Sequence, residues 1–425
     1  MSIKLKHVLF ILYCIYLLCD IICLVICMKI IVIGGGASGI VASIFAKRNN
    51  NEVIVLEKNS KCLKKLLITG NGKCNYFNDE FSFEHYYSDY KDLSFINDFN
   101  KSQVLDFFSS IGVVPRVKNG YYYPNSNQSY SVYNSLLKEA SLRGVKIIND
   151  CKVLNIVKKG DSFSISTNNG DFFCDKVIVS TGGKSYPKTG SEGDGYIFGK
   201  SFGHKIVPVY PSLVGLVSNN KFFKDLSGVR CDACVSLGSK SEIGEVQFTD
   251  YGLSGICIFN LSNIASRIGN CSVKINFLYN FVNDYSDFCK LFDDTSKRVK
   301  GRSVSELLEG YLNYKIVNVI FKLCKIDNAV GWNNLNVKEK KVLFDSLTSF
   351  NVDVIGTKGF DVAQVSLGGI SLSDIIISSF ESRIVPGLYF TGEVLDVTGD
   401  CGGYNLGFAF LSGMIAGKSV GDKCD

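Results

Sequence analysis

Two short runs near the start of the chain are apolar without any alternation of polar and apolar side chains. Residues 30–33 are apolar throughout, and residues 53–56 are apolar directly after Glu52. Runs of this kind are typical of parallel strands that are covered on both faces. Residues 38–48 lie between the two runs and predict a helix, so this part of the chain predicts a strand–helix–strand unit of an α/β domain.

The turn between the first strand and the helix reads Gly-Gly-Gly-Ala-Ser-Gly over residues 34–39, which fits the pattern GxGxxG. In such a turn Gly34 permits the tight bend, Gly36 lets the backbone approach a pyrophosphate, and Gly39 permits close packing of helix on strand. Glu57 ends the second strand. It lies at the distance of about 20 residues from the glycine turn at which a carboxylate accepts hydrogen bonds from an adenosine ribose. These features together predict a dinucleotide-binding fold.

The following segments continue an α/β pattern. Residues 64–75 form a basic stretch that runs into a glycine-rich, polar loop. Residues 131–143 predict an amphipathic helix, and residues 145–167 predict short strands that end at an Asn-Asn-Gly turn. Residues 176–180 predict another buried strand, which closes in Thr-Gly-Gly at 181–183.

The middle of the chain changes character. Residues 206–277 predict short strands separated by Gly, Ser and Pro, and therefore a separate β-rich domain. Residues 280–350 predict mainly helices, with the clearest segments at 304–312 and 337–347, and residues 360–372 return to strand-like alternation.

The C-terminal stretch predicts a return to the first domain. Residues 387–393 form an apolar strand that stops at a glycine turn, and a helix to about Ser419 follows. The division expected from these patterns is 1–27, an apolar extension; 28–205, the first segment of the dinucleotide-binding domain; 206–279, the first segment of the β-rich domain; 280–350, a helical domain; 351–375, the second segment of the β-rich domain; and 376–425, the second segment of the dinucleotide-binding domain.

The N-terminal extension is the hardest segment to interpret. Residues 8–27 are almost wholly apolar, broken only by Asp20, which is typical of a membrane anchor. Met28 nevertheless begins the first strand with no linker and is a natural initiator. The alternatives are a start codon placed too far upstream, a real anchor, or a signal peptide. We expect a cytoplasmic protein, with an inner-membrane tether and membrane contact only if the anchor is real.

Composition narrows the classes of partner and site. Hydrophobic residues make up 46% and charged residues 20% of the 425 residues, and the net charge is +6, as in a globular protein. The basic residues are scattered and form no block of five, so we expect no nucleic-acid partner. The 16 cysteines are spread along the chain, which favours free thiols over a disulfide framework.

One closely spaced cysteine pair, Cys231 and Cys234, forms a CxxC. A zinc site needs two more ligands, and the chain has only His7, His85 and His204 as histidines. We therefore expect no metal, and interpret the pair as ordinary strand or turn residues, with a redox dithiol as the alternative.

From Met28 to about Gly417 the chain resembles a bacterial family of FAD-dependent oxidoreductases, described as aminoacetone-oxidase-like or as reductases of the bile-acid dehydroxylation type. The resemblance is strongest in the blocks 64–75, 181–196, 248–255 and 387–413. It implies an α/β, Rossmann-like FAD-binding domain of the two-dinucleotide-binding-fold flavoprotein type, with an inserted β-barrel domain and a small helical domain. It also implies hydride transfer from NADPH or NADH through FAD to an unsaturated or electrophilic small molecule.

The resemblance and the motifs together give a set of expected cofactor contacts, while the catalytic residues stay unknown. Asp396 is expected beside the ribityl chain, and the N-terminus of the last helix beside the flavin pyrimidine. The residues that we expect to bind the cofactor are Gly34, Gly36, Ala37, Ser38, Gly39, Glu57, Lys58, Lys65, Thr69, Gly70, Asn71, Gly72, Lys73, Cys74, Asn75, Val153, Thr181, Gly182, Gly183, Gly392, Glu393, Asp396, Gly402, Gly403, Tyr404, Asn405 and Leu406.

Three departures from the family pattern bear on the substrate rather than on FAD. Thr69, Asn71 and Lys73 replace a serine, a glycine and an arginine, Ile256 stands where a proline is usual, and residues 407–408 replace a Gln-Trp pair. Two alternatives for the function stay open. One is an amine oxidase that passes electrons to oxygen, and the other is a flavin-containing RNA-modification or RNA-binding protein.

Overall fold

The structure is a computed structural model that describes residues 28–48 and 50–421. These residues form two compact units: unit 1 comprises 28–183, 189–208 and 368–421, and unit 2 comprises 184–188 and 209–367. The apolar run at 8–27, with the alternatives for it, lies outside the described residues. Within 28–48 and 50–421, no helix has both the length and the apolar character needed to cross a bilayer.

The helices are numbered in chain order. They are α1 (Ala37–Ala46), α2 (Lys64–Gly72), α3 (Lys101–Ser110), α4 (Ser129–Leu142), α5 (Asp194–Ser201), α6 (Phe223–Leu226), α7 (Ile256–Ile268), α8 (Tyr285–Arg298), α9 (Val304–Leu308), α10 (Tyr314–Cys324), α11 (Val337–Thr348) and α12 (Tyr404–Gly421).

The strands are numbered in the same way. They are β1 (Lys29–Ile33), β2 (Glu52–Leu56), β3 (Phe77–Asn78), β4 (Tyr86–Tyr87), β5 (Pro115–Lys118), β6 (Tyr121–Pro124), β7 (Lys146–Ile148), β8 (Val153–Lys159), β9 (Ser162–Thr167), β10 (Gly170–Cys174), β11 (Lys176–Val179), β12 (Ile206–Ser212), β13 (Leu216–Ser218), β14 (Arg230–Leu237), β15 (Lys240–Phe248), β16 (Gly252–Ser254), β17 (Cys271–Asn276), β18 (Phe350–Thr357), β19 (Val365–Ile370), β20 (Ile375–Ile376), β21 (Glu381–Ser382), β22 (Leu388–Phe390) and β23 (Thr398–Gly399).

Unit 1 is built on a seven-stranded sheet of order β20-β21-β22-β11-β1-β2-β7. The five strands from β22 to β7 are parallel, and β20 and β21 continue the sheet antiparallel. Ile30, Ile31 and Val32 on the central strand β1 are completely buried, as expected of a parallel strand covered on both faces. Strand β11 pairs with β1, the first strand of the described chain, and with β22, which lies near the end of that chain. The two ends of the described chain therefore share one sheet.

Helices α1 and α12 are in direct contact because glycines on α12 let the two backbones approach. A Cβ atom on Gly413 would lie 2.5 Å from the Ser38 carbonyl oxygen, and one on Gly417 would collide with the Ala42 carbonyl oxygen and lie 2.9 Å from the Phe45 Cβ. Since backbone atoms do not yield as a flexible side chain does, only glycine fits at these positions.

Unit 2 contains a closed antiparallel barrel of order β13-β16-β15-β14-β17-β18. Helices α8 to α11 are inserted between β17 and β18. The barrel and these helices share one hydrophobic core, in which Phe248, Phe277, Phe288 and Trp332 are almost completely buried. The predicted fold class, an α/β, Rossmann-like domain with an inserted β-barrel domain and a small helical domain, is confirmed, and the helices share the core of the barrel.

The structure differs from the sequence interpretation in three details. The β-rich stretch 206–277 also contains the 13-residue helix α7, which the sequence pattern did not predict. The alternation expected over 360–372 is absent, because β19 is buried at every position. The basic stretch at 64–68 forms the helical part of α2, which the sequence pattern did not indicate, and the expected glycine-rich loop begins where Thr69 leaves the helical region.

We expect Gly417→Ala to lower the thermal unfolding midpoint of the protein. A Gly→Ala change inside a helix ordinarily stabilises by about 1 kcal/mol, but here the added methyl collides with the Ala42 carbonyl, and overpacking costs about 1–3 kcal/mol. Circular dichroism melts measure the change. Ser419→Ala, two positions further along α12 and only partly buried, is the matched control and should leave the midpoint unchanged or higher. A Gly417→Ala protein as stable as the wild type would contradict the close packing of α1 on α12.

Candidate functional site

The turn between β1 and α1 is shaped by glycines that the fold itself requires. Gly34 has φ +100°, its N–H donates to the Leu56 carbonyl at 2.8 Å, and a Cβ there would lie 2.6 Å from the Ser180 carbonyl oxygen. A Cβ on Gly39 would collide with the Gly34 carbonyl. These two glycines are therefore explained by the turn and by the packing of α1 against the sheet.

Gly36 is different, because nothing among the described residues requires a glycine there. Its φ is −77°, which any residue adopts, and the nearest heavy atom to an added Cβ is the Ser180 carbonyl oxygen at 3.9 Å. Gly36 is also the N-cap of α1, so Ala37 and Ser38 expose their backbone N–H groups at the same place. An open space above unpaired N–H groups fits a phosphate that approaches the backbone.

Glu57 is held in place beside this turn. Its carboxylate is almost completely buried and accepts from the Gly35 N–H at 2.8 Å, from the Asn59 N–H at 2.8 Å and from the Asn59 Nδ2 at 2.6 Å. A carboxylate offers about four acceptor positions, so one remains for a ligand hydroxyl.

Lys58 and Val153, both expected to contact the cofactor, lie near Glu57 but have other contacts. The Lys58 ammonium pairs with Glu192 at 2.7 Å and with Asp194 at 2.6 Å. Burial alone lowers the pKa of Lys58, but these two hydrogen bonds outweigh burial and raise it above its usual value. Val153 begins β8 as a buried apolar residue, two positions after Cys151, whose N–H donates to the Glu57 carbonyl.

The segment from Thr69 to Cys74 bends sharply. Thr69 leaves the helical region at ψ 147°, and Gly70 and Asn71 both adopt left-handed conformations, as does Cys74. The Cys74 N–H donates to the Thr69 carbonyl at 3.0 Å, and the Lys73 N–H donates to the Gly70 carbonyl at 3.1 Å. The helix α2 thus ends in a compact turn that also contains Gly72.

This turn meets the turn that precedes α12. A Cβ on Gly403 would lie 2.8 Å from the side-chain amide of Asn75, and one on Gly402 would lie 2.8 Å from the Tyr121 ring. The Asn78 Nδ2 donates to the Gly402 carbonyl at 2.8 Å. Two of the strongest sequence blocks, one from each end of the chain, are therefore in direct contact.

An ion pair joins α2 to the end of β22. The Lys65 Nζ lies 2.8 Å from the Glu393 Oε2, and both side chains are mostly buried. The Gly392 N–H, next to Glu393, donates to the Ser412 Oγ at 3.0 Å, and a Cβ on Gly392 would lie 2.6 Å from the Ser38 Oγ. The β22 turn, α2 and the phosphate-type turn therefore lie together.

Two buried polar groups lie at the carboxyl end of the sheet. Asp396 is completely buried, and its Oδ2 accepts from the Ser88 Oγ at 3.0 Å and from the Asp89 N–H at 2.8 Å. Thr181 follows β11 and precedes Gly182 and Gly183, and within the described residues its buried Oγ1 makes no hydrogen bond. A ligand or water that reaches Thr181 would satisfy this hydroxyl.

The start of α12 is fixed by its own side chains. The Asn405 Oδ1 accepts from the Gly399 N–H and its Nδ2 donates to the Gly399 carbonyl, both at 2.8 Å. The Tyr86 hydroxyl donates to the Tyr404 carbonyl at 2.9 Å, and Leu406 packs against the core of unit 1. Asn405 therefore holds the turn, while the backbone N–H groups of the first turn of α12 are what a ligand would meet.

The thiols near this site are poor nucleophiles. Burial raises the pKa of Cys62 and of Cys74 to about 12, and burial with the nearby Asp400 raises that of Cys401 to about 11. Cys231 and Cys234 both lie on β14, where residues three apart point to opposite faces of the strand. In the part of the chain that the structure describes, no three acidic, histidine or cysteine side chains cluster as a metal site.

Sequence reasoning missed several residues that contact the expected site. Ser88 and Asp89 hold Asp396, and His85 contacts Asp400 and Tyr404. They lie in an irregular stretch whose only strand, β4, has two residues. No periodicity and no motif of the sequence marks them.

The sequence of this chain matches a known protein family. A family model described as the HI0933-like protein Rossmann domain matches residues 28–419. The chain belongs to this family. The family resemblance inferred from the sequence blocks is thereby confirmed.

Individual relatives extend over almost the whole chain. The chain is 34% identical over 408 residues to a 3-dehydro-bile acid Δ(4,6)-reductase of Clostridium scindens, covering 93% of this chain and 99% of that protein. It is 27% identical over 401 residues to a ribosomal RNA dihydrouridine synthase of Escherichia coli, covering 92% and 98%.

Among solved structures, a 3-ketosteroid-Δ4-(5α)-dehydrogenase of Rhodococcus jostii in complex with 4-androstene-3,17-dione superposes with a TM-score of 0.51. That match has 14% identity and covers 93% of this chain and 97% of the other. At this identity the likeness concerns the fold alone.

We expect Cys74 and Cys401 to resist alkylation at pH 8. The thiolate is the reactive form, and the raised pKa of each thiol leaves it protonated at this pH. Iodoacetamide should modify both at least about 100-fold more slowly than glutathione, whose thiol has the usual pKa of about 8.5. Peptide mass spectrometry measures the rates. Reaction as fast as that of glutathione would show a thiolate in the site and revive a thiol-based mechanism.

Proposed function

We propose that unit 1 binds FAD and that the protein is an FAD-dependent oxidoreductase, which takes a hydride from NADPH or NADH and reduces a carbon–carbon double bond conjugated to a carbonyl group. The observation that carries the cofactor assignment is the open space above Gly36. The turn and the packing of α1 require glycine at positions 34 and 39. A bound pyrophosphate, which must approach the backbone closely, explains the glycine at position 36.

The residues of unit 1 fit the parts of FAD. The N–H groups at the start of α1 face the pyrophosphate, and Glu57 accepts from the adenosine ribose. Thr181 and Asp396, at the carboxyl end of the sheet, offer polar groups to the ribityl chain. The N-terminus of α12 stabilises negative charge on the ring system through its dipole. When bound, FAD supplies two-electron hydride chemistry, and the protein binds, orients and polarises it.

The names of the relatives support the substrate class. The Clostridium scindens protein is named a Δ(4,6)-reductase of a 3-dehydro-bile acid, and the Escherichia coli protein a dihydrouridine synthase. Both names describe saturation of a ring double bond that is conjugated to a carbonyl group. We extend this common reaction, rather than either named substrate, to the present chain.

A second candidate function is modification of ribosomal RNA. Relatives in Escherichia coli and Haemophilus influenzae, 27% and 29% identical, carry the name ribosomal RNA dihydrouridine synthase. The 34% identity to the bile-acid reductase and the lack of a basic block favour a small ring ketone. If the protein reduced uridine in a ribosomal RNA transcript and did not reduce ring ketones, RNA modification would become the favoured function.

We expect Gly36→Ala to weaken FAD binding by at least about tenfold, because the new methyl occupies the space through which a pyrophosphate reaches the backbone. The apoprotein should stay folded, since Gly→Ala at an N-cap costs no more than about 1 kcal/mol. Fluorescence titration of apoprotein with FAD measures the affinity, and circular dichroism checks the fold.

The matched control is Gly244→Ala on β15, where an added Cβ makes only ordinary contact, 3.7 Å from the Cys257 Cβ. This variant should bind FAD as the wild type does. Equal affinity in Gly36→Ala would contradict a pyrophosphate at this turn.

We expect anaerobic NADPH or NADH to bleach the flavin absorbance of the FAD-loaded protein. A conjugated ring ketone such as 4-androstene-3,17-dione should then restore the absorbance without oxygen. Stopped-flow absorbance follows both steps. Flavin that neither nucleotide reduces, together with stoichiometric peroxide formed from an amine in air, would favour the amine-oxidase alternative instead.

A further inference from the structure

A histidine contacts the loop that precedes α12. The His85 Nδ1 lies 3.3 Å from the Asp400 Oδ2, and the His85 ring stacks on the Tyr404 ring with centroids 4.5 Å apart and planes 21° apart. The Asp400 N–H donates to the His85 carbonyl at 2.8 Å. Pairing of Gly399 with Tyr86, between β23 and β4, joins the two segments next to these contacts.

The surroundings of His85 are asymmetric. The Asp400 side chain on the Nδ1 side is 9% exposed, whereas the Glu80 side chain on the Nε2 side, 3.8 Å away, is 80% exposed. A buried carboxylate on one ring nitrogen fixes the orientation of an imidazole and stabilises its protonated form. The other nitrogen of His85 then faces the accessible side, where it can give up a proton.

The hydroxyl and thiol groups around this loop hold their protons tightly. Burial raises the pKa of the Tyr404 and Tyr121 hydroxyls, and with Asp400 it raises the pKa of Cys401 to about 11. Histidine is the side chain that ordinarily exchanges a proton near neutral pH. His85, whose ring contacts the Asp400 carboxylate, is therefore the group of this cluster that we consider as a proton donor.

The only other histidine of the described residues has a structural role. His204 is buried, its Nε2 lies 2.7 Å from the Ser382 Oγ, and its Nδ1 lies 3.1 Å from the Gly199 carbonyl oxygen. Burial lowers the pKa of His204, so this ring stays neutral.

The position of His85 along α12 matches the expected end of the site. Gly413 of α12 contacts Ser38 at the phosphate-type turn, and Tyr404 begins the helix nine positions earlier, about 14 Å away along the axis at about 1.5 Å per residue. Because His85 stacks on Tyr404, it lies far from the turn that faces the pyrophosphate. It lies near the N-terminus of α12, where we propose the ring system of FAD.

We propose that His85 supplies the proton that completes the reduction of the conjugated double bond, with Asp400 as the residue that positions it. This inference rests on the proposed function. Hydride uptake at the β-carbon moves the π pair to the carbonyl oxygen and leaves an enolate. The α-carbon of the enolate then takes the proton from the His85 imidazolium, and the N–H pair stays on nitrogen. The substrate gains two electrons and two hydrogens, of which bound FAD would supply the hydride, and His85 regains a proton from solvent.

The kinetic test uses FAD-loaded protein that is reduced with dithionite and mixed with 4-androstene-3,17-dione without oxygen. In His85→Asn the reoxidation rate should fall at least about 100-fold, the usual range for loss of a general acid, with FAD affinity and thermal stability unchanged. Asp400→Asn should cause a smaller loss. Glu84→Gln, at the exposed neighbouring position, is the control and should react as the wild type does.

The pH dependence separates proton donation from a structural role. The wild-type reoxidation rate should depend on pH, because only the protonated imidazole donates a proton, and this dependence should be absent in His85→Asn. Added imidazole should restore part of the rate in His85→Ala. A His85→Asn protein with the wild-type rate and pH profile would overturn the assignment of the proton donor but leave the proposed function intact.

A measurement on the wild type needs neither turnover nor a variant. Diethyl pyrocarbonate modifies accessible histidines, and peptide mass spectrometry follows His85 in the oxidised, FAD-loaded protein. Saturating 4-androstene-3,17-dione should slow the modification of His85 at least threefold. No protection by bound ketone would overturn the inference, while failure of the ketone to bind or to reoxidise the flavin would overturn the proposed function and this inference with it.

Discussion

The close backbone contact between α1 and α12 is the constraint on which the rest of unit 1 depends. Because Gly413 and Gly417 lack side chains, the last helix lies directly against the first helix at Ser38 and Ala42. The same contact brings the turn after β22 to Ser38, through Gly392. The two distant ends of the described chain thereby form one sheet and one group of turns at its carboxyl end.

That arrangement explains why the candidate site is assembled from distant blocks. Lys65 and Glu393 pair across it, and Asn75 lies against Gly403. Helix N-termini from both ends of the chain, at Gly36 and Tyr404, are thereby available to the anionic parts of one ligand. The protein contributes binding and electrostatics, as flavoproteins of this fold do, while the cofactor contributes the redox step.

The sequence predicted the local parts of this arrangement and missed the distant ones. The unit from β1 to Glu57 was predictable because apolar runs, glycine spacing and a terminal acid follow one another within a single short segment. Helix α7 was missed because its apolar start follows a run of short strands, and α2 because Gly70 and Gly72 signal a loop. His85 and Asp400 are 315 residues apart in the sequence, and they meet beside two paired strands of only two residues each. No periodic pattern in the sequence indicates such a pairing.

The measurement that tests the central claim most directly is the visible absorbance spectrum of the purified full chain after incubation with FAD and removal of unbound cofactor. The account predicts flavin bands near their usual wavelengths, one FAD released per chain on denaturation, and weaker bands when Gly36 is changed to alanine. A folded protein that stays colourless after this treatment would contradict an FAD site at the carboxyl end of the unit 1 sheet.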